Sequence, residues 1–223
     1  MAEVFRFIAH SKLAISIARR YGWLPAARYT NLRDVRSFDR LGFLDVEWEN
    51  YSFKRHLEAA KATLPLMTVA QDVVNISCLD SILDQACELA LYCTFVVVVP
   101  KDISLIPIMD YAIPSEFLLG YSVPTKYGAT LIPPHVFKRP VHLLGGRPDV
   151  QRGLADIMLV VSIDCNRFTI DAKYGDYFDG ETFRPHPVGG YKRCLSDSIK
   201  NINALWYNYP KEKENLMYGN KKK

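Results

Sequence analysis

Residues Pro140–Asn166 (PVHLLGGRPDVQRGLADIMLVVSIDCN) constrain the fold of this chain more than any other stretch. An apolar run, Val141–Leu144, meets a turn at Gly145-Gly146. A short helical stretch follows at Asp149–Ala155, and a second apolar run, Met158–Ile163, ends at Asp164. Two apolar runs joined through a helix read as a parallel strand pair, because a parallel connection has to cross back over the sheet. In a barrel built from such units the C-terminal strand ends carry the reacting groups. A carboxylate at that position serves as a nucleophile, a base or a metal ligand.

The same grammar runs through the middle of the chain. Phe43–Val46 reads as a short strand ending near Asp45, and Phe53–Thr63 as the helix after it. Leu66–Ala70 reads as a buried strand leading to Gln71-Asp72. Ser77 is placed to cap a helix over Cys78–Tyr92, whose Leu79, Ile82, Leu83, Ala86 and Leu89 share one face. Thr94–Val99 is β-branched and closed by Pro100; such a continuous run suits a strand covered on both faces. Phe117–Leu119 leads into Gly120-Tyr121-Ser122. Upstream, Lys12–Arg20 has amphipathic helical spacing, whereas Trp23–Phe38 reads as irregular and arginine-rich. Downstream, Leu195–Tyr209 is helical and aromatic-rich and is expected to pack across the outer face of the sheet.

Roughly six alternating strands between residues 43 and 164 predict an α/β fold, a TIM-barrel-like (βα) architecture with parallel strands. A full eight-stranded barrel typically takes about 250 residues, and this chain has 223. The expectation is therefore a minimal or incomplete barrel. No repeat or Gly/Ser linker divides residues 1–223, so a single domain is expected, with its core over about 43–175 and its C-terminal helix over about 195–209.

Composition narrows the class. With 49% hydrophobic and 23% charged residues the chain reads as globular. No apolar stretch is long enough to span a bilayer, and none has the form of a secretory signal, so no membrane is expected and a cytoplasmic location is, the host's cytoplasm if a phage encodes it. Cys78, Cys87, Cys93, Cys165 and Cys194 are scattered without paired spacing, which argues against a disulfide framework and a structural zinc. The net charge of +4 permits a polyanionic partner.

The candidate site is the set of polar and glycine residues at the strand ends: Asp45, Asp72, Lys101-Asp102, Gly120-Tyr121-Ser122, Gly145-Gly146 and Asp164. A lone aspartate after a strand is often only a turn former or helix cap, and Asp80, Asp149 and Asp197 read that way. Three aspartates after apolar strands at one end read differently. Paired carboxylates suit chemistry at an anomeric carbon, where one attacks and another handles the leaving group's proton. A carboxylate also accepts two N–H bonds from a guanine edge. The same residues suit Mg²⁺, but no metal site and no cofactor is expected, and no Walker-type phosphate loop is present. His10, His56, His135, His142 and His186 lack metal-ligand spacing, and His142, inside a strand, reads as core. Cys165 beside Asp164 has no histidine base near it in sequence.

In motif order, the chain resembles the tRNA-guanine transglycosylase superfamily, most of all the phage and bacterial members that insert 7-deazaguanine bases into DNA. MLVVSIDCN after VHLLGGRPDVQRGLAD is similar to the family unit that ends in the nucleophilic aspartate, which implies that role for Asp164. LPLMTVAQDV is similar to the strand whose terminal aspartate reads the purine, which implies Asp72. FLLGYSVPTKYG stands where the family contacts the base through backbone, implying Gly120 and Tyr121. FLDVEW implies an acid/base or base-contact role for Asp45. The resemblance covers about residues 43–175. The chain departs from the family in lacking the three cysteines and histidine that hold zinc after the nucleophile, since only Cys165, His186 and Cys194 follow Asp164. That departure and the short length point to DNA rather than tRNA, and leave room for a partner subunit or homodimer.

The resemblance implies a pentosyltransferase that replaces guanine in a nucleic acid with a 7-deazaguanine through a covalent aspartyl-glycosyl intermediate. Arg167, Lys173, Lys192 and Arg193 are then the candidates for gripping the backbone, and Tyr174, Tyr177 and Tyr191 for stacking on bases. Two alternatives stay open: a base or nucleoside hydrolase using water as acceptor, and a non-catalytic or partner-dependent nucleic-acid-binding barrel.

Overall fold

In the computed structural model, which describes residues 4–125 and 130–209, the strands are short and buried on both faces. They are β1 Phe5–Ile8, β2 Leu24–Arg28, β3 Phe43–Asp45, β4 Met67–Val69, β5 Phe95–Val98, β6 Leu118–Ser122, β7 Val141–Leu144 and β8 Val160–Asp164. All pair in parallel in sequence order, and β8 returns to β1 to close the barrel. The barrel is thus complete and small. Its economy lies in strands of three to five residues and in brief crossovers such as α5 below.

The helices lie outside: α1 Lys12–Arg19, α2 Phe53–Thr63, α3 Leu79–Ala90, the single-turn α4 Met109–Ala112, α5 Pro148–Leu154, α6 Arg167–Asp171 and α7 Tyr191–Trp206. Each long helix turns an apolar stripe to the barrel; Ile15 and Ile17 of α1 and Leu195, Ile199 and Ile202 of α7 are buried.

Three sequence expectations need correction. The barrel begins at Phe5, not near residue 43, because β1 and β2 supply two further strands; Leu24–Arg28 lies inside the segment read as irregular. Ser77 is not the cap of α3. Asn75 caps the 3₁₀ turn ahead of it, its side chain accepting from Ser77 N at 2.9 Å, and Cys78 at the N-cap position of α3 makes no capping bond. Asp197 is no turn former either; it lies within α7 and pairs with His186 Nε2 at 3.0 Å and Lys200 Nζ at 2.9 Å.

Inside the barrel an aromatic layer fills the lower half. Phe5 and Phe7 stack along β1, and Phe7 meets Phe43 at 5.4 Å between ring centroids. His142 lies over Phe43 at 4.9 Å. Above this layer the inward positions turn polar. The change is built into β8, where the register against β7 slips by one: Val141 faces Val160, but His142 faces Ser162. Such a bulge re-aims side chains. Here it turns Ser162 and Asp164 into the barrel and leaves Ile163 in the outer layer, fully buried.

After β8 the chain makes α6 and a two-stranded hairpin, β9 Asp176–Phe178 with β10 Phe183–Pro185, before α7. Helix α7 completes the outer ring between α5 and α1. Asn203 clasps the first helical unit, accepting from Trp23 Nε1 at 2.8 Å and donating to Tyr21 O at 2.9 Å.

Candidate active site at the barrel mouth

The C-terminal strand ends open onto a cavity of about 370 Å³, within the range of small-molecule pockets. Asp45 from β3, Asp72 beyond β4 and Asp164 from β8 all line it. Between them stand Arg28, Trp48, Lys101, Ser122, Gly145, Gly146 and Asn166. A second pocket of about 300 Å³ adjoins it on the β1–β2 side; the two share Arg28, Asp45 and Asn166, and His10, Asn31 and Asp34 extend it.

Asp164 is held from several directions. Its Oδ1 accepts the Gly145 N–H at 2.8 Å. Gln151 of α5, fully buried, donates to both Gly145 O at 2.7 Å and Asp164 O at 2.8 Å, which locks the β7 loop to the end of β8. Gly146 is required by space as well as conformation. At φ +89° a side chain is strained, and a Cβ there would lie 2.3 Å from Val123 Cγ1. The side chain of Asp164 keeps 14% of its surface open to the cavity.

Asp72 sits three residues past β4. It is carried there by a single bridge between Val73 and Pro100 that extends the β4–β5 ladder. Lys101 follows Pro100, and its Nζ meets Asp72 Oδ2 at 2.6 Å. The neighbouring Asp102 has a different job. It accepts from Ser104 N, Ser104 Oγ and Ile76 N, and these bonds hold its carboxyl below the usual range. Asp102 is a loop cap; Lys101 belongs to the site.

Asp45 is the electrostatically unusual member. Burial and then the charge of Asp164 push its pKa up to about 7; the Val46 N–H and Arg28 oppose the shift without cancelling it. Near neutrality Asp45 thus holds a proton that it can give up. A carboxyl whose proton affinity is raised beside a second carboxyl is a means of dividing acid and nucleophile roles.

The remaining sequence candidates fall in three places. Gly120 points inward one layer below the mouth, where a Cβ would collide with Val97, Val99 and Leu144. Tyr121 points outward and packs edge-on against Phe137 at 5.2 Å between centroids. Neither lines the cavity. The residue of β6 that lines it is Ser122. Arg167 and Lys173 lie beyond β8 on the rim. Arg167 pairs with Asp171 at 2.7 Å and lies 6.0 Å from the Phe183 ring centroid, with Arg147 5.6 Å from the same centroid. The charge of Lys173 reaches His10, which burial first and Lys173 second push toward the neutral form. Lys192 and Arg193 open α7 and border a shallow groove with Leu13 at the start of α1. Helix α1 begins where β1 ends, so this groove lies on the mouth side but outside the central cavity.

Tyr174 is 80% exposed. Tyr177 packs edge-on with His186, and Tyr191 is half-buried. Burial pushes the Cys165 thiol up to about 12, which leaves it unreactive. Among the described residues no cluster of three or more histidine, cysteine or acidic side chains is placed to hold a metal ion.

Sequence reasoning missed Trp48 and Arg28 as site residues. Trp48 is 61% exposed at the cavity wall, an unusual place for a large aromatic. Its signal was its position in the loop three residues after Asp45. Arg28 had no such signal, because its strand went unread.

A model described as a family of unknown function, DUF6610, matches residues 18–207. No curated protein matches the chain. Among solved structures, Cgl0159 from Corynebacterium glutamicum (Brevibacterium flavum) is similar over 92% of this chain and 86% of its own, with a TM-score of 0.52 and 10% sequence identity. At that identity the likeness is one of fold. No helix among the described residues is long and apolar enough to cross a membrane.

Proposed function

We propose that this chain, which belongs to the DUF6610 family, is a base-exchange pentosyltransferase that replaces guanine in a nucleic acid, DNA before tRNA, with a 7-deazaguanine. The observation that carries the reading is the meeting of Asp45, Asp72 and Asp164 on one cavity at the barrel mouth, where burial raises the proton affinity of Asp45.

In this reading Asp164 attacks C1′ of the target nucleotide. The C1′–N9 bond breaks, its electron pair leaves with the purine, and Asp45 supplies the proton that makes the departing guanine neutral. The incoming 7-deazaguanine then gives its N9 proton to Asp45 and attacks C1′, and the ester to Asp164 breaks. Asp72, anchored by Lys101, faces the N1–H and 2-amino edge of the base. Trp48 offers a ring face for stacking. The target nucleotide has to leave its stack to reach the cavity, at a cost of a few kcal/mol. The Arg147–Phe183–Arg167 cluster on the rim beside Asp164 is suited to the flanking phosphates, with Lys173, Lys192 and Arg193 further out.

The test is exchange of labelled guanine into duplex DNA and, in parallel, into tRNA, with wild-type protein and Asp164→Asn. The expected result is incorporation into DNA that Asp164→Asn abolishes. Incorporation into neither polymer by folded protein favours the binding or partner-dependent barrel. Release of guanine with abasic sites and no incorporation favours the hydrolase.

A further inference from the structure

We infer that His142 is a positioning residue for Asp164: its Nε2–H is aimed at Asp164 Oδ1 across 3.6 Å, and closing that gap leaves Oδ2 as the oxygen presented to the cavity. That Oδ2 is the oxygen that attacks rests on the base-exchange reading; the approach of His142 to Oδ1 does not.

His142 projects from β7 into the barrel, with no exposed surface, against the rings of Phe7 and Phe43. Its Nδ1 lies 2.8 Å from Ser162 Oγ. The other neighbour of that hydroxyl is Met67 Sδ at 3.8 Å, a weak acceptor. Donation from Ser162 Oγ to that sulfur is geometrically open, but the ring nitrogen is the closer and stronger acceptor and takes the hydroxyl proton. A neutral imidazole carries one proton, and Nδ1 as acceptor leaves it on Nε2.

Nε2 is buried and has no partner within hydrogen-bond distance. The acceptor facing it is Asp164 Oδ1 at 3.6 Å. A buried N–H left without an acceptor is strongly disfavoured, so a small closure of this gap is the favourable movement. Oδ1 then holds two donors, Gly145 N–H and His142 Nε2–H, both from the protein side. Among the described residues Oδ2 receives none. The register slip in β8 makes this possible, since it sets Ser162 rather than Val161 opposite His142.

The consequence for the reaction is directional. When C1′ bonds to Oδ2, Oδ1 becomes an ester carbonyl. When the ester breaks in the second half-reaction, negative charge returns to the carboxylate, and the two donors on Oδ1 receive it. His142 thus favours release of the sugar from Asp164 over its capture.

The deciding experiment is NMR of the full chain with ¹⁵N-labelled imidazoles at about pH 8, where an ordinary histidine is neutral. The His142 signals are assigned by their loss in His142→Gln. The expected result is a protonated Nε2, an unprotonated Nδ1, and an upfield move of the Nε2–H proton resonance in Asp164→Asn, where a neutral amide replaces the carboxylate. An unprotonated Nε2 in the wild type overturns the inference, because the ring then accepts from a protonated Asp164. Resonances unchanged by Asp164→Asn overturn it too, and reduce His142 to core packing. The wild-type tautomer decides even if Asp164→Asn fails to fold. Neither readout needs turnover, so the inference and the base-exchange reading fail separately.

Discussion

Two histidines, His56 and His142, are both fully buried in this barrel, and they are used in opposite ways. His56 belongs to α2 and faces the outer side of the sheet. Its Nδ1 meets Tyr51 Oη at 3.2 Å, and its Nε2 meets Thr68 Oγ1 at 2.8 Å, which passes its own proton to Leu44 O. Tyr29 stacks on its face at 5.4 Å between centroids. Every polar atom of that ring is satisfied by neutral partners, and burial pushes its pKa down to about 4. His142 has one satisfied nitrogen and one aimed at a carboxylate of the candidate site. A closed network fixes a fold; an incomplete one leaves a buried nitrogen facing the group next to it.

The largest effect is expected at Asp164. Asp164→Asn is expected to lower base exchange by about 10⁴-fold or more, while the midpoint of urea unfolding stays close to wild type because the change is nearly isosteric. Full activity in this variant would end the base-exchange reading.

The next effect belongs to His56 and appears in stability alone. The folded chain keeps this ring neutral down to about pH 4, whereas the unfolded chain protonates it near pH 6.5. Stability is therefore lost as pH falls through that window, by on the order of 3 kcal/mol from this group. Denaturant titrations from pH 8 to pH 4 check this: the acid loss should be shallower in His56→Gln than in the wild type. An identical slope in both would show that His56 is not the closed device described.

Asp45 links the two regimes. The folded chain holds its proton up to about pH 7, and the unfolded chain releases it near the ordinary carboxyl value. The wild type consequently loses stability as pH rises from about 4 to 7. Asp45→Asn should raise stability at pH 8 by about 1–3 kcal/mol, read by thermal unfolding, while exchange is lost. Stability unchanged at pH 8 would mean that Asp45 is ionised without penalty in the fold. The smallest effect is expected at the rim. Trp48→Ala should weaken binding of a purine base by about 1–2 kcal/mol, measured by calorimetry; equal affinity would remove Trp48 as a stacking surface.

Local pattern made much of the barrel legible, and its limits are physical. The β7–α5–β8 unit reads directly because its apolar runs, glycine turn and helix are contiguous. β1 and β2 do not, because FRFI and LPAAR are short, interrupted by arginine or proline, and become strands only through neighbours far along the chain. Asp45, Asp72 and Asp164 were visible as strand-end residues, since a run that stops at an aspartate needs no tertiary information. The partner of Asp72 was not: Lys101 follows another strand, and only the Val73–Pro100 bridge brings the two together. Ser122, not Gly120 or Tyr121, lines the cavity, because Gly120 lies one layer lower on the same face and Tyr121 on the opposite one. His142 was read as core, which it is; its second neighbour, Asp164, depends on a register slip that no single-sequence pattern reveals.

The clasp between Asn203 and the Trp23–Tyr21 segment has a consequence for the order in which the chain can fold as it is made. The pairing of β1 with β8 and the docking of α7 against α1 join residues from opposite ends of the described chain. Until β8 has left the ribosome the nascent sheet is an open ribbon with two unpaired parallel edges, and until α7 has followed, the apolar surface that it covers stays exposed. Such edges are prone to pairing with other chains. A ribosome-stalled product ending before residue 191 is expected to be captured by chaperones or to aggregate, and one extending past residue 209 with enough linker to clear the exit tunnel is expected to resist protease.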